Sequence, residues 1–314
     1  LKPGSDVANL SAMGYDPLKC YTGRSPLEAV SIGIQMDDTD VAFRCNLVTL
    51  SDDAEYAEKT MVDYSSGEIT TAEAAELIRA VDENFRTDEI LFYPGISYRH
   101  CMIWHQGPVG LNLTPPHDIS DRKITEYLPQ NPVILDLMKR SYEILKDHPI
   151  NQDRMARGLN PANSIWLWGE GTRPGVTGFE AAYGVKASVI SAVDLIKGIG
   201  LCAGMKVIEV EGATGNIDTN FKGKGEAALK TLLDGQDLVY IHVEAPDECG
   251  HHGDLEGKIQ AIERIDQDIV GPLLKGLEEA GEDYSILVMP DLLQFPLRPI
   301  SLIRFLTCCI AAQM

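Results

Sequence analysis

Apolar runs and amphipathic stretches alternate through the second half of the chain. One strand-to-helix unit spans Val185–Gly198, and a second joins the strand-like MKVIEVE at 205–211 to the helix-like GKGEAALKTLLDG through a GATG turn. A third begins with the apolar run Leu238–Ala245 and continues into a helix over Glu256–Ala280. Strands that alternate with helices predict an α/β fold with a mostly parallel sheet covered on both faces. The apolar face of the last helix is predicted to carry Ile259, Ile262, Ile265, Ile269 and Leu273.

Acidic side chains follow two of the predicted strands. Asp247 and His251 come after Leu238–Ala245, and Asp291 comes after a further strand at Tyr284–Met289. The carboxyl ends of strands in an open α/β sheet form its ligand-binding edge. Because one turn of chain separates Asp247 from His251, a carboxylate oxygen and an imidazole nitrogen can reach the same divalent ion. The alternative explanation is an aspartate that caps the next helix beside solvated histidines.

The segment from Asp40 to Asn163 has a different pattern of apolar and polar residues. It combines DVAFRCNLVTLSDD and the short strand-like runs ILFYPGIS and YRHCMIW with the helix-like TTAEAAELIRAVDENF. Short strands and helices between polar turns predict an α+β module. We therefore expect residues 1–42 and 164–291 to form the sheet domain, with residues 43–163 inserted into it.

Composition and charge argue against several classes of function and location. The 314 residues carry a formal net charge of −20, which argues against a nucleic-acid partner because counterion release requires a basic surface. Seven cysteines without a C-x-x-C pair suit a reducing compartment, and we expect the cytoplasm. The first residues lack the segments of a signal peptide, and no apolar run reaches the length of about 18 residues that predicts a membrane helix.

Ser5 precedes the helix-like run VANLSAMGYD and has two explanations. A serine at a helix entry is commonly an N-cap whose hydroxyl accepts a backbone N–H bond. It can instead be a nucleophile, because helix N-terminal amides bind a phosphoryl group and a metal ion lowers the pKa of the hydroxyl. Local sequence alone favours the cap.

Four further basic side chains lie beside glycine or proline, in predicted loops or at a helix start. Loops of this kind commonly present groups to ligands. Taken singly, each is better explained as a solvated or capping side chain. The four are Arg99, His117, Arg173 and Lys224, the last of which is most simply a surface lysine.

Long motifs in a fixed order carry a resemblance to a known family. They include PGSDVANLSAMGYDP, YTGRSPLEAVSIGIQMDDTDVAFRCNLVTL, NPANSIWLWGEGTRP, VEGATGNIDTN and VEAPDECGHHGDLEGKIQAIERID. From Leu1 to Asp291 the chain closely resembles the archaeal-type cofactor-independent phosphoglycerate mutases of the alkaline phosphatase superfamily, some of which are labelled proposed homoserine kinases. The resemblance implies an alkaline phosphatase-like fold. It also implies conversion of 3-phosphoglycerate to 2-phosphoglycerate through a phosphoserine, in glycolysis and gluconeogenesis, without bisphosphoglycerate.

The resemblance also assigns roles to residues. It makes Ser5 the phosphorylated serine and a metal ligand, Asp247 and His251 ligands of one of two divalent ions, and Asp291 a ligand of the other. The ions implied are manganese or magnesium, with zinc or cobalt as alternatives. Two such ions can activate the serine and neutralise the leaving oxygen. Contacts to the phosphoglycerate substrate fall on Arg99, His117, Arg173 and Lys224.

The chain departs from the family pattern at both ends. Family members begin with a strand ending in Asp-Gly-Met, whose aspartate binds metal, and they carry histidines after Asp291. Residues 292–314 contain no histidine. Permitted codons for Leu297–Met314, read in a shifted frame, encode a segment similar to the family's, so we interpret residues 292–314 as an out-of-frame tail. We therefore expect this chain to bind metal poorly and to have impaired activity.

Two alternatives to the mutase stay open. One is a metal-dependent phosphotransferase or phosphatase on the same scaffold, such as the proposed homoserine kinase. The other is the inactive product of a damaged gene. Formation of 2-phosphoglycerate, compared with ATP-dependent phosphorylation of homoserine, separates the two enzymes. The oligomeric state is left open by the sequence.

Overall fold

The computed structural model describes residues 4–289 and 307–311 of a mixed α/β chain. No helix in this described part is long and apolar enough to cross a membrane. In chain order the helices are α1 (Ser5–Ala12), α2 (Pro17–Cys20), α3 (Ser25–Ser31), α4 (Thr71–Phe85), α5 (Pro132–Leu145), α6 (Pro149–Ala156), α7 (Phe179–Tyr183), α8 (Asp194–Cys202), α9 (Phe221–Leu233), α10 (Ala245–His251), α11 (Leu255–Ile265) and α12 (Gly271–Ala280). The strands are β1 (Asp40–Leu50), β2 (Met61–Asp63), β3 (Ile90–Tyr93), β4 (Arg99–His105), β5 (Ser164–Thr172), β6 (Ala187–Ile190), β7 (Lys206–Val207), β8 (Leu238–Ile241), β9 (Ser285–Met289) and β10 (Thr307–Ala311).

The chain divides into two compact units. The first unit comprises Leu1–Tyr21 and Gly175–Met314, and the second comprises Thr22–Pro174. The sequence places the domain boundaries at 42/43 and 163/164, whereas this division lies at 21/22 and 174/175. The second unit extends further in both directions because β5 continues beside β1 to Thr172 and α3 packs on both of these strands.

The first unit contains a five-stranded sheet in the order β7-β6-β8-β10-β9. β6 pairs parallel with β7 and β8, and β10 pairs antiparallel with β8 and β9, so four of the five strands point in one direction. β6 and β8 are short apolar runs on which α8 and α9 pack. The predicted combination of apolar strands with amphipathic helices is therefore confirmed as a mixed α/β fold.

The predicted strand over 205–211 is mostly absent. Only Lys206–Val207 pairs in the sheet, as an edge strand beside β6. Ile208 and Val210 instead pack against the core of the first unit. The apolar residues in MKVIEVE thus reflect contact with the core rather than a continuous ladder of hydrogen bonds.

The predicted helix over Glu256–Ala280 is present but not uniform. α11 and α12 are joined by a π-helical turn at Asp266–Val270. Ile265 and Ile269 are buried in the core as predicted, whereas Ile259 is 43% exposed. The wider turn changes the helical phase, so no single 3.6-residue pattern describes the whole segment.

The second unit is an α+β module. Its strands pair in the order β2-β1-β4-β3, with β5 on the other edge of β1, and all of these pairings are antiparallel. The predicted helix TTAEAAELIRAVDENF is confirmed as α4. Its start is set by Thr70 as the N-cap, whose hydroxyl accepts from the Glu73 amide at 3.3 Å and donates to the Glu73 carboxylate at 2.8 Å. α4 and α5 bury their apolar faces with the sheet in one core.

Candidate active site

Ser5 is the first residue of α1 in the first unit. Gly4 occupies the N-cap position in an extended conformation, and α1 has no side-chain cap among the described residues. The explanation of Ser5 as the cap is therefore wrong. Its hydroxyl lies one residue inside the helix, where the first-turn amides and the helix dipole favour negative charge. This position suits a residue that carries a phosphoryl group.

Buried hydrogen bonds fix the first turn of α1. The side-chain amide of Asn9 donates to the backbone carbonyl of Ser5 at 2.8 Å, and the Asn9 oxygen accepts from the Tyr240 hydroxyl at 2.5 Å. Asn9 and Tyr240 are 1% and 4% exposed. Because Tyr240 belongs to β8, the middle strand of the sheet, these two bonds tie Ser5 to the centre of the first unit.

Asp247 and His251 face each other on α10, the helix that follows β8. The Nε2 atom of His251 lies 3.4 Å from Oδ2 of Asp247. The capping explanation is wrong for Asp247, because Asp254 caps the next helix by accepting from the Gly257 amide at 2.9 Å. Two donor atoms that share an ion at about 2.1 Å lie about 3 to 3.4 Å apart. The pair therefore fits one divalent ion as an oxygen and a nitrogen ligand.

Two buried lysines lie near this region of the first unit. Burial lowers the pKa of the Lys258 ammonium, and the Asp247 carboxylate opposes that shift. Lys224 is fully buried and donates to the backbone carbonyl of His242 at 3.2 Å. Burial lowers the pKa of Lys224 to about 8, against the effect of Glu244. The explanation of Lys224 as a surface lysine is therefore wrong, and both lysines add positive charge inside an acidic molecule.

Asp247 and His251 are the candidate metal ligands that the described residues bring together. No group of three or more His, Cys, Asp or Glu side chains among them is placed to hold a metal ion. Asp291, predicted to bind the second ion, lies outside the described residues, as does the predicted tail 292–314 apart from residues 307–311.

Aromatic rings surround two of the predicted site residues in the second unit. The His117 ring lies 5.4 Å from that of Trp168 and 6.0 Å from that of Tyr64, measured between centroids. Arg99 extends over Tyr98 at 5.0 Å, and the Tyr64 and Tyr98 rings are 5.8 Å apart. The structure therefore brings Arg99 and His117 into one neighbourhood.

Two further arginines, Arg24 and Arg44, lie in this neighbourhood, although no sequence motif pointed to them. Glu28 accepts from Nε of Arg24 at 2.7 Å and from Nε of Arg44 at 2.9 Å. Burial lowers the pKa of His117, Asp118 opposes that shift, and the charges on Arg44 and Arg24 add to it. The sequence feature that could have pointed to Arg44 is its position as a charged residue in the middle of the mostly apolar strand DVAFRCNLVTL.

The predicted site residues divide between the two units. Arg173 is in the second unit with Arg99 and His117, but it pairs at the surface with Asp38 at 3.4 Å. The predicted residues of the first unit are Ser5, Lys224, Asp247 and His251.

Comparisons with known proteins agree with the resemblance seen in the motifs. The family model described as 2,3-bisphosphoglycerate-independent phosphoglycerate mutase matches residues 1–151. A Geobacter sulfurreducens protein named "Probable 2,3-bisphosphoglycerate-independent phosphoglycerate mutase" is 53% identical over 292 residues, which cover 92% of this chain and 72% of the relative. The 2,3-bisphosphoglycerate-independent phosphoglycerate mutase of Methanothrix thermoacetophila is 49% identical over 294 residues, which cover 93% of this chain and 72% of that relative.

Solved structures show a similar fold. A Pyrococcus horikoshii protein matches with a TM-score of 0.69 and 28% identity, covering 88% of this chain and 65% of that one. The cofactor-independent phosphoglycerate mutase of Thermoplasma acidophilum shares the fold, with a TM-score of 0.55 and 24% identity over 88% of this chain and 72% of that one. On the identity and coverage of its curated relatives, the chain belongs to the 2,3-bisphosphoglycerate-independent phosphoglycerate mutase family.

Proposed function

We propose that this chain interconverts 3-phosphoglycerate and 2-phosphoglycerate without bisphosphoglycerate, as a step of glycolysis and gluconeogenesis. The observation that carries the proposal is the identity of 49% and 53% to two relatives named for this activity, over more than nine tenths of the chain. The reaction moves a phosphoryl group between two hydroxyls of one small molecule. It therefore needs a nucleophile that holds the phosphoryl group and contacts that retain glycerate.

Ser5 is the proposed nucleophile. Its oxygen attacks the phosphorus of 3-phosphoglycerate, so the Oγ–P bond forms as the O3–P bond breaks, and the serine proton passes to O3 of glycerate. The 2-hydroxyl of glycerate then attacks the phosphoserine, the Oγ–P bond breaks, and the proton of that hydroxyl returns to Ser5. The first-turn amides of α1 stabilise the charge that develops on the phosphoryl oxygens.

Asp247 and His251 are the proposed ligands of a divalent ion. Their 3.4 Å separation supports this assignment, and their oxygen and nitrogen donors suit manganese or magnesium. When bound, such an ion lowers the pKa of a nearby hydroxyl and neutralises phosphoryl oxygens. We assign Ser5 and Asp291 as further ligands on the family resemblance.

Four basic side chains are the proposed contacts to the anionic substrate. Arg99 and His117 are supported by their common aromatic surroundings in the second unit. Lys224 is supported by its burial near Glu244, which places a lysine of lowered pKa inside the first unit. Arg173 is assigned on the family resemblance. We also infer an alkaline phosphatase-like architecture for the first unit, supported by its largely unidirectional strands.

The test is to express the chain, add 3-phosphoglycerate and manganese chloride without bisphosphoglycerate, and measure 2-phosphoglycerate. We expect the parent chain to form 2-phosphoglycerate more slowly than a full-length relative, because of the departures at both ends, and Ser5→Ala, which lacks the nucleophile, to lose at least ~10³-fold in kcat. The Methanothrix thermoacetophila relative serves as a positive control. Homoserine phosphorylation by ATP in place of 2-phosphoglycerate formation would contradict the proposal, as would a parent chain no more active than Ser5→Ala.

A further inference from the structure

Lys224 carries a buried ammonium group in the first unit. Its side chain is fully buried, and Nζ donates to the backbone carbonyl of His242 at 3.2 Å. That bond employs one of the N–H donors of the ammonium. Burying a charged group costs free energy unless an opposite charge lies close to it. A carboxylate in its surroundings is therefore needed to keep Lys224 charged.

Glu244 provides that carboxylate. It follows β8 two residues after His242, whose carbonyl binds the ammonium. Burial lowers the pKa of Lys224, and the negative charge of Glu244 opposes that shift. The two groups thus act on each other within the first unit, beyond the carboxyl end of β8.

The carboxylate of Glu244 lies directly against Gly215 in the GATG turn. A Cβ added at Gly215 would clash with Oε2 of Glu244 and would lie 3.5 Å from its Cδ. The φ of Gly215 lies outside the left-handed region, so its backbone conformation is open to residues that have a side chain. Glycine is therefore needed here for space, because the Glu244 carboxylate occupies the volume of a Cβ.

Asn220 joins the loop that contains Gly215 to the helix that contains Lys224. Its amide donates to the Gly212 carbonyl at 3.0 Å. Its side-chain oxygen accepts from the Gly223 amide at 2.8 Å, which makes it the N-cap of α9. The loop on which the carboxylate rests therefore also fixes the start of the helix that carries the ammonium.

The other charged groups around Lys224 are exposed or paired with each other in the described part of the chain. α9 packs on β6, β8, α12 and the π-helical turn, and β6 carries no charged side chain. Asp268 of the turn pairs with Arg264 at 3.0 Å, and the imidazole of His242 is buried beside the Ser191 hydroxyl. The exposed groups on these elements and on α9 itself are Lys222, Glu226, Lys230, Asp266, Lys275, Glu278 and Glu279. The carboxylate seated on the GATG turn is therefore the charge on which this ammonium depends most.

We propose that Glu244, seated on Gly215, is a positioning residue that acts through Lys224 and keeps its buried ammonium charged for an anionic group of the substrate. A neutral amine would leave that anion without a counter-charge, inside a molecule whose net charge is −20. Glu244 itself touches no substrate in this role. The inference rests on the proposed mutase function, in which Lys224 is a substrate contact.

NMR of isotope-labelled lysine side chains measures the pKa of Lys224 without requiring turnover, and the signal lost in Lys224→Met assigns it. Glu244→Gln removes the charge but keeps the shape, so the pKa of Lys224 should fall by ~1 pH unit or more. Glu211→Gln is the matched control, because it removes one negative charge from an exposed position beside the same loop. It should leave the pKa of Lys224 unchanged.

Gly215→Ala displaces the carboxylate by steric contact and leaves its charge in the protein. The pKa of Lys224 should fall in this variant as well. It should fall no further when Gly215→Ala is combined with Glu244→Gln, because both changes remove the same interaction.

The pH profile of kcat/KM for 3-phosphoglycerate, with manganese chloride at saturation, provides a second readout. In Glu244→Gln the basic limb should move to lower pH by the same amount as the pKa of Lys224. Near about pH 6, where Lys224 is protonated in both proteins, kcat/KM should stay within ~3-fold of the parent chain. Damage to the shape of the site alone would lower kcat/KM at every pH.

An unchanged pKa of Lys224 in a folded Glu244→Gln protein would overturn the proposal, whether or not Gly215→Ala folds. A lowered pKa with an unmoved basic limb would overturn the role of Glu244 in the reaction. A lowered pKa in a chain without mutase activity would keep the action of Glu244 on Lys224 and reject the proposed function instead.

Discussion

His100 is a buried histidine with two unequal ring nitrogens. Its Nδ1 accepts from the Gly95 amide at 2.9 Å, while Nε2 is buried without a hydrogen-bond partner in the described part of the chain. The residue is 6% exposed, and burial lowers the pKa of its ring to about 3. The imidazole therefore stays neutral in the folded state at pH values where the unfolded chain is protonated.

This difference in pKa predicts a loss of stability in acid. Between the unfolded pKa of about 6.5 and the folded pKa of about 3, the unfolded state binds more protons, so the free energy of unfolding falls as pH falls. His100 alone contributes a slope of up to ~1.4 kcal/mol per pH unit. His100→Asn retains an acceptor for Gly95 and removes the titration. Its urea unfolding free energy should therefore decline less steeply between about pH 6 and pH 5, by ~1 kcal/mol.

The exposed His252 provides the control for this measurement. His252→Asn removes a histidine without changing a buried group, so its pH slope should match that of the parent chain. Equal slopes for the His100 and His252 variants would show that burial of His100 does not govern acid stability.

At the scale of elements, α9 packs closely against the π-helical turn that joins α11 to α12. A Cβ at Gly225 would lie 2.7 Å from the carbonyl oxygen of Asp268 and 3.1 Å from Cα of Ile269. The backbone of α9 thus packs directly on the turn. Only glycine, which has no Cβ, permits this close contact between the two backbones. The π-helical turn is wider than an α-helical turn and carries the Asp268 carbonyl toward Gly225.

Gly225→Ala should therefore destabilise the protein by ~1–3 kcal/mol through overpacking, although alanine is the better helix former by ~1 kcal/mol. Urea unfolding at neutral pH measures the change. Glu226→Ala, on the exposed neighbouring position, should stay within ~0.5 kcal/mol of the parent chain. A Gly225→Ala variant as stable as the parent would mean that the two helices separate easily.

The hydrogen bonds from Asn9 predict an effect on catalysis through the position of Ser5. Asn9→Asp keeps an acceptor for Tyr240 but loses the N–H that binds the Ser5 carbonyl. We expect kcat to fall by ~10-fold with KM changed by less than ~2-fold, because a small displacement of the nucleophile affects the transition state most. Ser11→Ala on the exposed side of α1 is the control. An equal loss in both variants would indicate general damage to α1 instead.

At the scale of the whole molecule, the charge of −20 opposes compaction. Salt screens this repulsion, so the urea midpoint at neutral pH should rise when KCl is increased from about 0.02 M to about 0.5 M. Near pH 4.7, the sequence pI, the net charge vanishes and the same salt step should have little effect. A midpoint that is independent of salt at neutral pH would mean that local ion pairs, such as Glu28 with Arg44, offset the net repulsion.

The two units differ in how much of their structure the sequence predicts. α4 is recovered almost residue for residue because its N-cap and its apolar spacing are both local. The strand at 205–211 fails because apolar composition reports burial but not whether a partner strand continues beside it. Ile259 fails because it lies on the solvent side of α11, whose buried side chains are those of Lys258, Ala261 and Ile265.

The sequence by itself determined the family, the pairing of Asp247 with His251, and the main strand–helix units, because each is written in contiguous motifs or in local periodicity. Tertiary structure decided that Gly4 rather than Ser5 is the N-cap and that Lys224 is buried. It also assembled Glu28, Arg44 and Trp168. Those three residues come from separate elements, and no local pattern reports that strand pairing and packing bring a guanidinium, a carboxylate and an indole together.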